Sequence, residues 1–297
     1  MNCSFYQVDV FTKIPFGGNP LAVVFDSEGL TDQNMQNIAR EMNLSETTFV
    51  LPPGNLQVDF LVRIFTPKKE LPFAGHPTLG TAHILRETGK VLSGDYTIKF
   101  SMKAGVVTVS EMGKENLLFM DQLLPEFQPP LDCSEEIGKA LGISPDGIDS
   151  TCRPIQIVST GLPVLVVPIV SLEILEKISI DTLRLSMLLT SLGTDLLYAF
   201  TCHTFDPDAT IHSRAFAPKL GISEDPATGS AAGAAGAYLF RNKLISTESC
   251  EKIIIEQGHM MGRPSSLFVC VGQNKDEIKS IRVGGESVTL IKGEISI

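Results

Sequence analysis

Phe73-Ala74-Gly75-His76-Pro77-Thr78-Leu79-Gly80-Thr81-Ala82 reads as a tight loop running into a helix that is small and apolar on every side. Glu224-Asp225-Pro226-Ala227-Thr228-Gly229-Ser230-Ala231-Ala232-Gly233 repeats the pattern about half the chain later. Pro77 and Pro226 are both placed as first-turn prolines, where the missing N–H costs nothing. A helical glycine costs ~1 kcal/mol against alanine, so the Gly–Ala crowding over 229–237 needs a reason. Close packing of a buried helix supplies one. The start of such a helix carries bare N–H groups and a positive dipole end, a natural place for a carboxylate or phosphate. Two such ends predict one ligand site between two similar halves.

The segments around these loops recur in the same order. A strand at about 5–11 enters the glycine turn Phe16-Gly17-Gly18-Asn19-Pro20 and leaves as a strand over 21–25. Thr31 or Asp32 then caps an amphipathic helix carrying Met35, Ile38, Ala39 and Met42, with Asn43 as its stop. A strand over 58–65 precedes the first loop, and strands at about 96–100, 106–111 and 116–120 follow its helix. In the second half, Gly161-Leu162-Pro163-Val164-Leu165 echoes Gly18-Asn19-Pro20-Leu21-Ala22. Asp181 starts a helix with Leu185, Leu188, Leu189 and Leu192. Arg214-Ala215-Phe216-Ala217-Pro218-Lys219 echoes Arg63-Ile64-Phe65-Thr66-Pro67-Lys68. Such an order predicts a duplicated α/β unit, strands wrapped around a central helix in each copy. The expected domains are 1–125 and 126–285, joined through a proline-rich stretch, with 286–297 returning to the first.

The chain has 297 residues, 43% hydrophobic and 20% charged, enough for two globular domains. A net charge of −10 argues against nucleic acid or an anionic membrane as partner. The six cysteines are scattered, as expected of reduced thiols in a cytoplasmic protein. Residues 1–11 carry no signal pattern, and the apolar run 162–170 is too short for a bilayer. The five histidines form no zinc motif, and no P-loop or dinucleotide fingerprint is present. Metal catalysis is therefore not expected, and a homodimer is the default assembly.

Glu46 lies where a helix gives way to a strand, between Leu44 and Phe49-Val50. A solvated turn glutamate is the plainer reading; half-buried, it would suit proton transfer near neutral pH. Asp195 is its expected counterpart in the second half. His76 either completes its turn or faces a ligand as proton donor or carboxylate partner. Asp225 is placed as an N-cap, and Ser230 as a helix-start hydroxyl. With the amides of Gly75 and Gly229, these groups could surround a small anionic metabolite in an interdomain cleft. Asn19 is a further binding candidate, against a strong case for turn chemistry.

Val8-Asp9-Val10-Phe11-Thr12, Gly18-Asn19-Pro20, Asn43-Leu44-Ser45-Glu46-Thr47, Gly75-His76-Pro77-Thr78 and Glu224-Asp225-Pro226-Ala227-Thr228-Gly229-Ser230 stand in order. Glu256-Gln257-Gly258 and Met261-Gly262-Arg263-Pro264-Ser265 follow them. Together these closely resemble the PhzF-like phenazine-biosynthesis family over essentially the whole chain. The resemblance implies the diaminopimelate-epimerase fold: two similar domains, each a curved sheet or barrel around a central helix. It also implies a cofactor-independent isomerase that moves a proton within a compound such as dihydro-hydroxyanthranilate. The catalytic carboxylate then falls on Glu46, and supporting groups on His76, Asp225 and Ser230.

Related amino-acid epimerases use two cysteines, one before each helix; the corresponding residues here are Ala74 and Thr228. A lone carboxylate suits removal and return of a proton on one face, so an isomerase is expected before an epimerase. A racemase with another second base, and a binding module that has lost turnover, are the alternatives.

Overall fold

The computed structural model describes residues 1–54, 57–91, 97–112, 117–150 and 153–297. The expected strand starts at Tyr96 and Asn116, and Cys152, lie outside the described residues. The chain divides into two compact units, Met1–Asp121 with Gly284–Ile297, and Gln122–Val283.

In the first unit, β1 (Asn2–Val10), β2 (Asn19–Val24), α1 (Asp32–Met42), β3 (Glu46–Leu51), β4 (Phe60–Phe65) and β5 (Glu70–Leu71) lead to α2 (Gly75–Glu87). β6 (Thr97–Met102), β7 (Gly105–Met112) and β8 (Leu117–Gln122) follow. The Thr31 side chain accepts from the Asn34 amide to cap α1, and Asn43 ends it in the left-handed region at φ 51°. Met35, Ile38 and Ala39 of α1 pack on Val24, Phe49 and Phe65. Leu21, of opposite parity to Val24 on β2, faces α2, where a Cβ on Gly80 would come within 2.6 Å of it. The two helices therefore cover opposite faces of the strands. Gly80 is required because Val8, Val10 and Leu21 approach the helix axis too closely for a methyl group.

The second unit runs β9 (Glu126–Phe127), α3 (Ser134–Leu141), β10 (Gln156–Ser159), β11 (Pro163–Pro168), α4 (Leu172–Glu176), α5 (Thr182–Ser191) and β12 (Leu196–Thr201). It continues with β13 (Ile211–Ala217), β14 (Ile222–Asp225), α6 (Gly229–Arg241), β15 (Ile253–Gln257), β16 (Ser265–Asn274) and β17 (Glu277–Gly285). β18 (Ser287–Ser296) pairs antiparallel with β1. The Asp181 carboxylate caps α5 at the Arg184 amide, 2.9 Å away. Leu165 and Val167 of β11 join Ile137, Leu141, Leu185 and Leu189 in one core. Val164 and Val166 point to the other face and are also buried, hence the unbroken apolar run. The helix α3 was missed in sequence, although Glu135 and Glu136 in its first turn and Gly142 at φ 70° after its end mark its bounds.

The duplication is visible in the pairing. β2–β3 and β11–β12 are parallel, β3–β4 and β12–β13 antiparallel, β4–β6 and β13–β15 parallel again. Leu21 faces Glu46 as Val164 faces Leu196, and Phe49 faces Arg63 as Ala199 faces Arg214. Without a gap, Glu70-Leu71-Pro72-Phe73-Ala74-Gly75-His76 then corresponds to Glu224-Asp225-Pro226-Ala227-Thr228-Gly229-Ser230. This corrects the reading of Pro226 as a first-turn proline. It precedes α6 and matches Pro72, whereas Pro77 lies inside the first turn of α2.

Both central helices are buried along nearly their whole length. In α6 an alanine methyl at Gly236 would sit 2.6 Å from Val269, and one at Gly233 would strike Gln122. Among the described residues no helix is long and apolar enough to cross a membrane.

Candidate active site

Glu46 opens β3, and His76 is the second residue of α2. Each is 7% exposed, so the solvated-turn reading of Glu46 gives way to a buried carboxylate. Glu46 Oε2 and His76 Nε2 lie 3.1 Å apart. Their alignment is not that of a hydrogen bond, and neither atom has such a partner among the described residues. Leaving a buried polar atom unsatisfied costs about 1–3 kcal/mol, and buried polar groups in native proteins are nearly always paired. The helix is fixed against the strand two residues from Glu46, where the Thr48 and Thr81 hydroxyls meet at 2.9 Å. Thr81 in turn donates to the Pro77 carbonyl at 2.7 Å.

Asn19, buried at the start of β2, stands next to the Gly18 turn, where φ is +61° and a Cβ would collide with the Val10 carbonyl at 2.3 Å. Phe11 and Phe16, flanking this turn, also have positive φ. For large side chains that conformation costs about 1–3 kcal/mol each, a local strain that composition did not reveal. The buried Asp9 carboxylate accepts from the Phe16 amide at 2.8 Å and ties the turn to β1.

In the second unit Asp225 ends β14, and Thr228, not Asp225, is the N-cap residue of α6. The expected capping role of Asp225 is therefore replaced by another: its carboxylate accepts the Thr228 hydroxyl. Gly229 and Ser230 are the first two residues of α6. Gln122 Nε2 donates to the Gly229 carbonyl at 3.0 Å, and Gln122 Oε1 accepts the Thr160 hydroxyl at 2.7 Å. Gly75 and His76 hold the matching positions in α2.

Asp195 is not the counterpart of Glu46. It forms a surface ion pair with Lys219. The position matching Glu46 is Leu196, buried in the sheet. One repeat carries the carboxylate and the other a hydrocarbon. Before the two central helices stand Ala74 and Thr228, neither of them a thiol.

Sequence reasoning missed Gln257, at the end of β15, which is fully buried behind Thr228. Only its place in the Glu256-Gln257-Gly258 motif pointed to it. Gly258 follows at φ +79°, with the Arg263 and Pro226 carbonyls 2.4 and 2.5 Å from where a Cβ would be. Ser265 Oγ also donates to the Pro226 carbonyl, at 3.0 Å. These motif residues together hold the turn that carries Asp225.

A sequence model of the phenazine biosynthesis-like protein family matches residues 8–293. The chain is 39% identical to a trans-2,3-dihydro-3-hydroxyanthranilate isomerase of Pseudomonas chlororaphis, covering 97% of each chain. The structure of a PhzF-family phenazine biosynthesis protein of Bacillus anthracis covers 100% of both chains at a TM-score of 0.89 and 28% identity. A hydroxyproline epimerase of Agrobacterium vitis, 11% identical, shares the fold alone, with a TM-score of 0.64 over 99% of this chain and 92% of its own. The fold is thus the mixed α/β repeat fold of the proline racemase and diaminopimelate epimerase type. The chain belongs to the phenazine biosynthesis-like, or PhzF, family, and it is an isomerase.

Proposed function

We propose that the protein moves a proton within a small, carboxylate-bearing, cyclic or unsaturated metabolite, with trans-2,3-dihydro-3-hydroxyanthranilate as the first substrate to test. The observation that carries this reading is the buried Glu46–His76 pair, 3.1 Å apart and not hydrogen-bonded. Glu46 takes a proton from an activated carbon, and the electron pair left behind shifts a double bond along the ring. The proton then returns to another carbon, so the reaction is neutral in redox and in atoms and calls for no co-reactant. His76 lies within reach to hold the protonated carboxyl and the substrate as the proton travels. Each helix start, with the amides of Gly75 and His76 or of Gly229 and Ser230, suits a carboxylate. Asn19 and Asp225 are the further residues assigned to polar groups of the substrate.

Leu196 at the position of Glu46, with Ala74 and Thr228 before the helices, favours proton transfer on one face over stereoinversion by two bases. Proton NMR in D2O tests the proposal with trans-2,3-dihydro-3-hydroxyanthranilate. Wild type should consume it and place deuterium at the carbon that receives the proton. Glu46→Gln should be slower by roughly 10²–10⁴-fold, the usual worth of a general acid–base. Full activity in that variant would remove Glu46 from the mechanism.

A further inference from the structure

Tyr198, Ser213, Gln257, Thr228 and Asp225 form one buried chain of hydrogen bonds. Ser213 Oγ donates to the Glu256 carbonyl at 2.8 Å and meets Tyr198 Oη at 2.8 Å, and Tyr198 Oη stands 3.4 Å from Gln257 Oε1. That same oxygen accepts the Thr228 amide at 3.1 Å. Gln257 Nε2 donates to the Asp225 carbonyl at 2.7 Å and to Thr228 Oγ1 at 3.0 Å. With its acceptor capacity used in this way, the Thr228 hydroxyl turns its proton to the Asp225 carboxylate. The side-chain amide thus fixes both the backbone of Asp225 and the donor to its carboxylate.

The first unit supplies an internal control. By strand register, Tyr198, Ser213 and Gln257 match Thr48, Val62 and Met102. Thr228 and Asp225 match Ala74 and Leu71. The same scaffold folds there around Met102, with no carboxylate to hold at Leu71. A buried glutamine costs desolvation that a methionine avoids, so its presence only beside Asp225 is not explained by the needs of the fold.

We infer that Gln257 is a positioning residue, which through Thr228 sets the carboxylate of Asp225 for the substrate. The inference rests on the role given to Asp225 above. It makes Gln257 part of the machinery without placing it against the substrate.

The test uses Gln257→Met, Gln257→Glu, Thr228→Val and Asp225→Asn in the full chain. With trans-2,3-dihydro-3-hydroxyanthranilate, each should lower kcat/KM at least tenfold. Gln257→Met added to Asp225→Asn should cause no further loss, because both act on one group. Thr228→Val keeps the amide bond to Gln257 and loses only the hydroxyl, so it reads the relay even if Gln257→Met folds poorly. Crystal structures of Gln257→Glu and Thr228→Val should show the Asp225 carboxylate turned from its place. An unmoved carboxylate in both overturns the inference, whatever the activity. Full activity of Asp225→Asn overturns the role of Asp225 instead, and the structures then still decide whether Gln257 sets its position.

Discussion

Arg214 Nε and Nη2 donate to the two carboxylate oxygens of Glu224, at 2.8 and 2.7 Å. Its Nη1 reaches the carbonyls of Leu175 and Ile178 at 3.0 and 2.9 Å. Arg63 makes the matching fork to Glu70, at 2.8 and 3.0 Å, and both guanidinium groups lie 5.1 Å from a phenylalanine ring, Phe216 and Phe65. Each fork anchors the short strand that leads into a central helix. The environments differ: Arg214 is buried, whereas Arg63 is half-buried and reaches the exposed Asp32. Arg214→Ala should destabilise by roughly 3–5 kcal/mol, because it leaves Glu224 and the carbonyls without their cation. Arg63→Ala should cost about 1 kcal/mol. Urea unfolding of the two variants checks the contrast.

Exchanging the residues that differ between repeats separates folding from chemistry. Glu46→Leu copies Leu196, so it should fold and lose turnover by roughly 10²–10⁴-fold. Leu196→Glu places an unpaired carboxylate in a closed core and should cost several kcal/mol. Circular dichroism melts and the D2O assay distinguish the two outcomes.

Gly236→Ala should destabilise by about 1–3 kcal/mol although alanine favours the helix by ~1 kcal/mol. The new methyl meets Val269 at 2.6 Å inside the strands of the second unit. The thermal midpoint measures the balance, and a rise would show that the strands yield.

Acid should weaken the second unit through a buried imidazole and a paired carboxylate. His259 stacks on Phe205 beside His212. Burial, then the neighbouring His212, holds the His259 imidazole below its ordinary 6.5, against the opposing pull of Glu256. The unfolded chain therefore takes up this proton more readily, and stability should fall as the pH drops below 6.5. Burial pushes the Glu256 carboxyl up, but His212 and the amides of Phe205 and Asp206 outweigh it and hold it below its ordinary 4.5. Its contribution is present above 4.5 and is lost as the pH falls through the lower folded value. His259→Phe keeps the stack and should flatten the decline between pH 7 and 5, while the drop below 4.5 persists.

Alkylation of the five described cysteines should leave turnover intact. Cys3, Cys133, Cys202, Cys250 and Cys270 are free, and burial raises every one of these thiols, Cys133 to about 11. At neutral pH they are protonated and poorly nucleophilic. Iodoacetamide treatment with the D2O assay as readout checks this. Rapid inactivation would point to a thiol in the reaction.

The sequence by itself determined the repeat and most of its elements. Periodicity and caps are local signals, and Thr31, Asn43 and Asp181 act at the ends where their chemistry places them. It also brought forward Glu46, His76 and Asp225, through the motifs they stand in. Only the tertiary structure decided what these residues touch. Burial of Glu46 depends on β3 pairing beside β2, and its approach to His76 depends on α2 lying across β3, a relation between distant segments. The same is true of Asp225. Proximity to Pro226 suggested an N-cap, but the side chain is claimed by Thr228, and Thr228 by Gln257 from a strand beyond the helix. Strand register likewise replaced Asp195 by Leu196, since one residue's slip along a strand turns a side chain to the other face.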